Sequence, residues 1–221
     1  MPTEPSKYAT NQFESATAGS NPLMSEILSD TLPRLTLAAG VKPALAPALT
    51  ALNTASNNWN TGETFLANAE ASLLSSTAGL TDKLLSITRK PDIDTNSPIE
   101  TWDSTIRSQV AYQGTIYTLL LPHGRETVTQ GTIEEKLDAL RDLGVRLGNQ
   151  STKPILISLG TTVTTFANAA RGMRNAQQAA KAVLDAMRES QEALRIAAAV
   201  ELYNMVGLGM SRLIRRQVIW T

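Results

Sequence analysis

From Pro154 to Arg216 the chain carries a helical pattern of more than sixty residues, and any fold has to be arranged around it. Between Ala176 and Leu213 the residues Leu184, Met187, Gln191, Leu194, Ala198, Leu202, Met205 and Gly209 recur at intervals of three and four. That spacing puts them on one stripe of a helix. Gln191 is the one clearly polar member, and a buried amide in such a stripe can fix register. Outside the stripe lie Lys181, Asp185, Arg188, Glu189, Glu192 and Arg195. Asp185 with Arg188, and Glu192 with Arg195, are spaced to pair on the helix surface. Alanines at 176, 179, 180, 182, 186, 193, 197, 198 and 199 raise helix propensity and let neighbouring helices come close.

The start of this stretch is less sharply marked. Thr152 is a candidate N-cap, with Lys153 and Pro154 in the first turn. The run Thr161 to Phe166 is β-branched and has strand character. It flows into Ala167, Ala170 and Met173 without a turn signal, so the reading is helix. One helix over 154–214 would be roughly 90 Å long at about 1.5 Å per residue. A break at Gly160 or Gly172 fits the pattern as well as continuity does.

Composition supports an all-helical class. Aromatic residues make up only 5% of the 221 residues, and alanine, leucine, serine and threonine dominate, which suits a bundle better than a sandwich. Formal charge is zero, so no global field draws the chain to nucleic acid. The halves differ: residues 1–110 hold 7 basic and 11 acidic groups, and 111–221 hold 13 and 9. Such a split suits head-to-tail association of copies, although charge sign alone specifies no partner. The chain has no cysteine, which excludes disulfides and thiolate chemistry. No secretory signal and no apolar run of bilayer length is visible.

Residues 1–21 are polar, contain Pro2 and Pro5, and show no periodicity; they read as an extended arm. Leu23 to Leu37 predicts a short helix interrupted near Pro33, and Pro43 and Pro47 bound another reaching Ala55. Trp59 to Thr88 predicts a longer helix with a possible interruption at Gly79. Ser97-Pro98-Ile99-Glu100 is a capping box with proline at N1, opening a helix to about Leu121. Thr132-Ile133-Glu134-Glu135 is a second box, followed by Leu137, Leu140, Leu143 and Leu147 and closed at Gly148-Asn149. The economical arrangement is an up-and-down bundle of segments 59–89, 98–121, 133–148 and 154–214. The organisation expected is an arm over 1–21, a helical bundle over 22–214 and a tail over 215–221.

Candidate chemistry is sparse. Asp92, Asp94, Asn96, Glu100 and Asp103 stand at positions one, three, five, nine and twelve of a calcium-loop spacing, with Ile99 at position eight. Ser97 replaces the turn glycine, Asp103 replaces the longer bidentate glutamate, and Pro91 stops the preceding helix early. A solvated linker ending in a helix cap explains the same residues. His123 is the single histidine and sits in a Pro122-His123-Gly124-Arg125 turn, which argues against a histidine-built zinc or di-iron site. Adjacent Glu134 and Glu135 do not face each other on a helix and are better explained by capping. Gly207-x-Gly209 lacks the rest of a dinucleotide fingerprint. No catalytic, cofactor-binding or metal-binding residues are therefore assigned. Arg212, Arg215 and Arg216 with Leu213, Ile214 and Trp220 form a basic, apolar tail suited either to a membrane surface or to a neighbouring subunit.

The string Leu120-Leu-Pro-His-Gly-Arg-Glu-Thr-Val-Thr-Gln-Gly-Thr-Ile133 resembles a turn of uncharacterised all-helical bacterial proteins. These share a Pro-x-Gly-Arg turn, then Gly-Thr or Gly-Ser before an acidic helix start, and a late Leu-Tyr-Asn step, here Leu202-Tyr203-Asn204. The resemblance covers the second half of the chain and implies a bacterial, all-helical protein with no known activity. Bottom-up, Gly124 and Gly131 supply permissive backbone, and Arg125 is placed to satisfy helix carbonyls.

The functional expectation is a non-enzymatic helical subunit that associates with itself in a filament, shell or similar assembly. One alternative is a membrane-active protein hiding an amphipathic hairpin at Ile155 to Phe166. Another is a small-molecule-binding bundle, which polar groups lining a core cavity would favour.

Overall fold

The computed structural model describes residues 21–218, with side chains over 23–207. Seven α-helices and no strand occur among the described residues: α1 (Asn21–Val41), α2 (Ala46–Leu85), α3 (Pro98–Gln109), α4 (Thr115–Leu120), α5 (Glu126–Thr129), α6 (Ile133–Gly148) and α7 (Pro154–Val218). A 3-10 turn, Pro43–Leu45, links α1 to α2. The chain is all-α and bundle-like, as expected. Of the arm assigned to 1–21, Asn21 opens α1 and the rest lies outside the described residues. Of the tail assigned to 215–221, residues 215–218 belong to α7 and the remainder lies outside.

The described residues divide into two compact units. Among the described residues, unit 1 is 21–70 with 182–218, and unit 2 is Ala71–Lys181. Both α2 and α7 contribute to each.

In unit 1, α1, the first part of α2 and the later part of α7 bury Met24, Leu28, Leu35, Leu52, Trp59, Ala198 and Leu202. Trp59 donates from Nε1 to the Ser25 hydroxyl at 2.9 Å, and Ser25 donates to Glu63 at 3.1 Å, so the indole is both buried and satisfied. The expected interruption at Pro33 is absent: α1 continues to Val41. Pro33 and Ser29 both face solvent, so water can take the Ser29 carbonyl that a proline leaves without a donor. Nor do Pro43 and Pro47 bound a separate short helix. Each sits in a first turn, where no amide donor is needed, and α2 then runs 40 residues without a break at Gly79.

Unit 2 has the larger core, with Ile87, Trp102, Ile106, Leu120, Leu140, Leu143, Leu147, Leu156 and Val163 among its members. Both capping boxes form. Ser97 and Thr132 each accept from the N3 amide, while Glu100 and Glu135 reach back to the cap amides at 2.9 and 2.7 Å. The helix expected over 98–121 is broken. Val110 is extended, Gln113 takes a left-handed φ of 59°, and Gly114 caps the short α4. This corner folds Tyr117 back over Asp103 on α3. Pro154, not Lys153, is the first helical residue of α7; the Lys153 carbonyl accepts from Leu156 and Ile157.

Neither glycine flagged as a break interrupts α7. Gly160 is instead a crossing point. A Cβ built there would stand 2.7 Å from the Gly148 nitrogen and 2.9 Å from the Gly144 carbonyl oxygen. Two helix backbones meet at this point because neither carries a side chain there.

Candidate functional site

The calcium-spaced loop does not close on itself. Asp92, Asp94 and Asn96 are exposed, and the Asp92 carboxylate accepts from the Ile93 amide at 2.6 Å. Glu100 accepts from the Ser97 amide and lies 3.4 Å from Arg125 and 3.7 Å from Lys90. No three histidine, aspartate, glutamate or cysteine side chains gather closely enough to hold a metal among the described residues.

Asp103, the last of that series, instead centres a polar cluster. Its side chain is fully buried. Arg107, one turn on, donates from Nε to Oδ1 at 3.0 Å and lies 2.9 Å from Oδ2 through Nη2. Arg125 donates from Nε to Oδ2 at 2.8 Å, and Tyr117 donates its hydroxyl to Oδ1 at 2.7 Å. The Arg107 guanidinium also stacks 4.1 Å over Tyr112, whose ring meets Tyr117 edge-on at 5.1 Å. Burial alone would raise the Asp103 pKa, but the bonds from Arg125, Tyr117 and Arg107 outweigh it and hold the carboxyl below the ordinary aspartate range. Burial, and the bond to Asp103, push the Tyr117 hydroxyl up. The cluster is a saturated, ionised anchor that ties the Arg125 turn and α4 to α3. Arg125 was expected to satisfy helix carbonyls; the buried carboxylate takes it instead, because a charged acceptor in low dielectric binds a guanidinium more strongly.

A second polar group lies on α6 and α7. Arg174 donates to Glu134 at 2.7 Å, Arg171 bonds Glu134 and lies 2.7 Å from Asp138, and Gln177 donates to Thr77 at 2.9 Å. The hydrogen bonds from Arg174 and Arg171 lower the Glu134 pKa. Glu134 and Glu135 thus part company: one bridges helices and the other caps. His123 is exposed in its turn, where its backbone amide donates to Thr127. The surroundings of Gly209 and the side chains of Arg212, Arg215 and Arg216 lie outside the described residues, as does Trp220.

Along α7 in unit 1 the expected stripe is real. Leu184, Gln191, Ala198 and Leu202 are buried, and Met187, Leu194 and Met205 are partly so. Arg195, placed outside the stripe by spacing, is also buried; it pairs with Glu192 at 2.6 Å. Pattern reading missed it because a long side chain can lay its stem along an apolar face and bring its head to a neighbour. The opposite face is unusual. Ala182, Ala186, Ala193, Ile196, Ala197 and Val200 are all exposed on that side, and the exposed Glu189 lies among them. In unit 2 the exposed positions of α7 include Ser158, Thr161, Thr162, Thr165 and Asn168 beside Ile155, Ile157 and Met173. There the hydroxyls of Thr161, Thr162 and Thr165 donate to carbonyls one turn back.

No family model matches the chain, and searches of curated proteins and of solved structures return no match. No helix among the described residues is long and apolar enough to cross a membrane.

Proposed function

We propose that this chain is a non-enzymatic helical subunit that associates with copies of itself through the outward face of α7 over residues 182–200. One observation carries the reading: in unit 1 this helix buries one apolar stripe, and its opposite side exposes a patch of Ala186, Ala193, Ile196, Ala197 and Val200 with Glu189 among them. An exposed apolar patch on the outer side of a helix is a surface against which a second helix can pack. Ile196 and Val200, 41% and 38% exposed, would each add roughly 1 kcal/mol on full burial, about half the value for a whole side chain. Alanines at 186, 193 and 197 let a second helix approach closely. The carboxylate chemistry points the same way, since Asp103 and Glu134 are both held ionised by arginines, a setting for cohesion rather than proton transfer.

Light scattering during size-exclusion chromatography, over a concentration series, tests this. The full chain should exceed the mass of one chain, and the double variant Ile196→Glu/Val200→Glu should fall to it. Asn168→Glu, on the polar outer side in unit 2, should leave the mass unchanged. A native chain that stays at single-chain mass throughout would overturn the proposal.

A further inference from the structure

Gln191 sits in the α7 stripe of unit 1 at 4% exposure, and neither its Nε2 nor its Oε1 has a hydrogen-bond partner. A buried amide with one orphan end is costly, and one with both ends vacant is rarer still. The local geometry shows where the amide lies. A Cβ built on Gly62 of α2 would overlap Gln191 Oε1 and come within 2.5 Å of Leu194 Cδ1, so the carboxamide rests directly against the bare Gly62 backbone. Gly62 also lines a cleft of about 190 Å³ between α2 and α7. Asn58, Thr61 and Ser190 give that cleft a polar rim, and Phe65, Met187 and Leu194 give it apolar walls. No charged side chain lines it.

We propose that this cleft is a binding site for a small neutral molecule presenting a planar carboxamide or lactam edge. Such an edge offers one donor and one acceptor side by side. Paired head-to-head with Gln191 it satisfies both vacant atoms at once, whichever way the amide is turned. Gln191 does not itself line the cleft, so the ligand has to displace the end of Leu194, which also lies over Gly62, to reach the amide. The apolar body of the ligand, about the size of one ring, lies against Phe65 and Met187. The absence of a charged lining residue selects against a carboxylate, which would enter without a counter-ion.

The test uses the full chain and three ring compounds of matched size: benzamide, benzoate and acetophenone. Nitrogen–proton correlation spectra follow the Gln191 side-chain amide. Benzamide should shift that resonance in a saturable way and bind at least tenfold more tightly than benzoate or acetophenone. Gln191→Met keeps the volume and removes the polar edge. It should cost benzamide about tenfold in affinity, roughly one charge-neutral hydrogen bond, and leave acetophenone unchanged. Circular dichroism of that variant checks the helices. Equal affinity for benzamide and acetophenone would overturn the proposal, as would equal affinity of Gln191→Met and the native chain for benzamide. An amide that shows cross-relaxation to a trapped water and no response to benzamide would also overturn it, and would assign the vacancy to solvent.

Discussion

Each unit buries a polar side chain from the middle of a helix, and the two are treated oppositely. In unit 2 Asp103 is enclosed and takes bonds from three side chains. In unit 1 Gln191 is enclosed with nothing at either end of its amide. The lesson is about sign. A satisfied buried charge is costly to remove, because its partners are left without it, whereas an orphaned amide is costly to keep. The outer faces of α7 sort the same way. In unit 2 that side is hydroxyl-rich, its threonines bonded to their own helix, with Ile155 and Met173 exposed among them; in unit 1 it is mostly alanine, isoleucine and valine, with Glu189 among them. On the two proposals above, it is unit 1 whose open face and orphaned amide are met by a second copy and a ligand.

The sharpest way to break this contrast is Asp103→Ala. It leaves Arg107, Arg125 and Tyr117 without their common acceptor and should cost unit 2 about 3 kcal/mol, kept below the upper end for buried pairs because both guanidiniums reach water. Denaturant titration with Trp102 fluorescence, in a Trp59→Phe/Trp220→Phe background, reads unit 2. The complementary Trp59 background reads unit 1, which should be unaffected. A loss shared equally by both would erase the distinction drawn between the units.

Gly160→Ala comes next. A methyl against the backbone of Gly144 and Gly148 forces α6 and α7 apart, at about 1–3 kcal/mol. Thermal unfolding should show the loss, and Gly172→Ala, with open space around it, should be neutral or slightly stabilising. The sign then reverses in unit 1: Gln191→Met should stabilise by about 1 kcal/mol, since it removes two unsatisfied groups and keeps the volume. A loss in that variant would mean the amide has a partner in the free protein.

The smallest effect is with pH. The folded-state pKa of Asp103 is depressed, so its contribution is fully present above the unfolded value of about 3.9 and is lost as pH falls below that toward the folded value. Unit 2 should therefore lose stability on acidification below about pH 4, and Asp103→Asn should flatten that limb. Monitoring the midpoint of denaturant unfolding against pH checks it.

Much of the fold was legible in sequence because its signals are local. Two capping boxes, the α6 leucines and the α7 stripe are all written within a few turns of the chain, and each forms as spaced. What could not be read is set by partners distant in sequence. The role of Gly160 depends on Gly144 and Gly148 meeting it from another helix. The left-handed corner at Gln113 exists because Tyr117 returns to Asp103 fourteen residues back. Asp103 is picked out by spacing without its true partners: calcium-loop spacing counts oxygens along the chain, and the guanidinium of Arg125, 22 residues on, is invisible to it. Gln191 was recognised as the polar member of its stripe, but no sequence pattern says that both its atoms go unmet.

The most direct test of the self-association account uses the absence of cysteine. Single thiols placed at Ala193 and, separately, at Asn168 accept a nitroxide label, and continuous-wave spin resonance then follows label mobility as concentration rises. Both positions are exposed on α7, one on the apolar side in unit 1 and one on the polar side in unit 2. The expected result is a label at 193 that becomes immobilised on concentration and a label at 168 that does not. Equal, unchanging mobility at both positions, over a range extending to the highest soluble concentration, would contradict it.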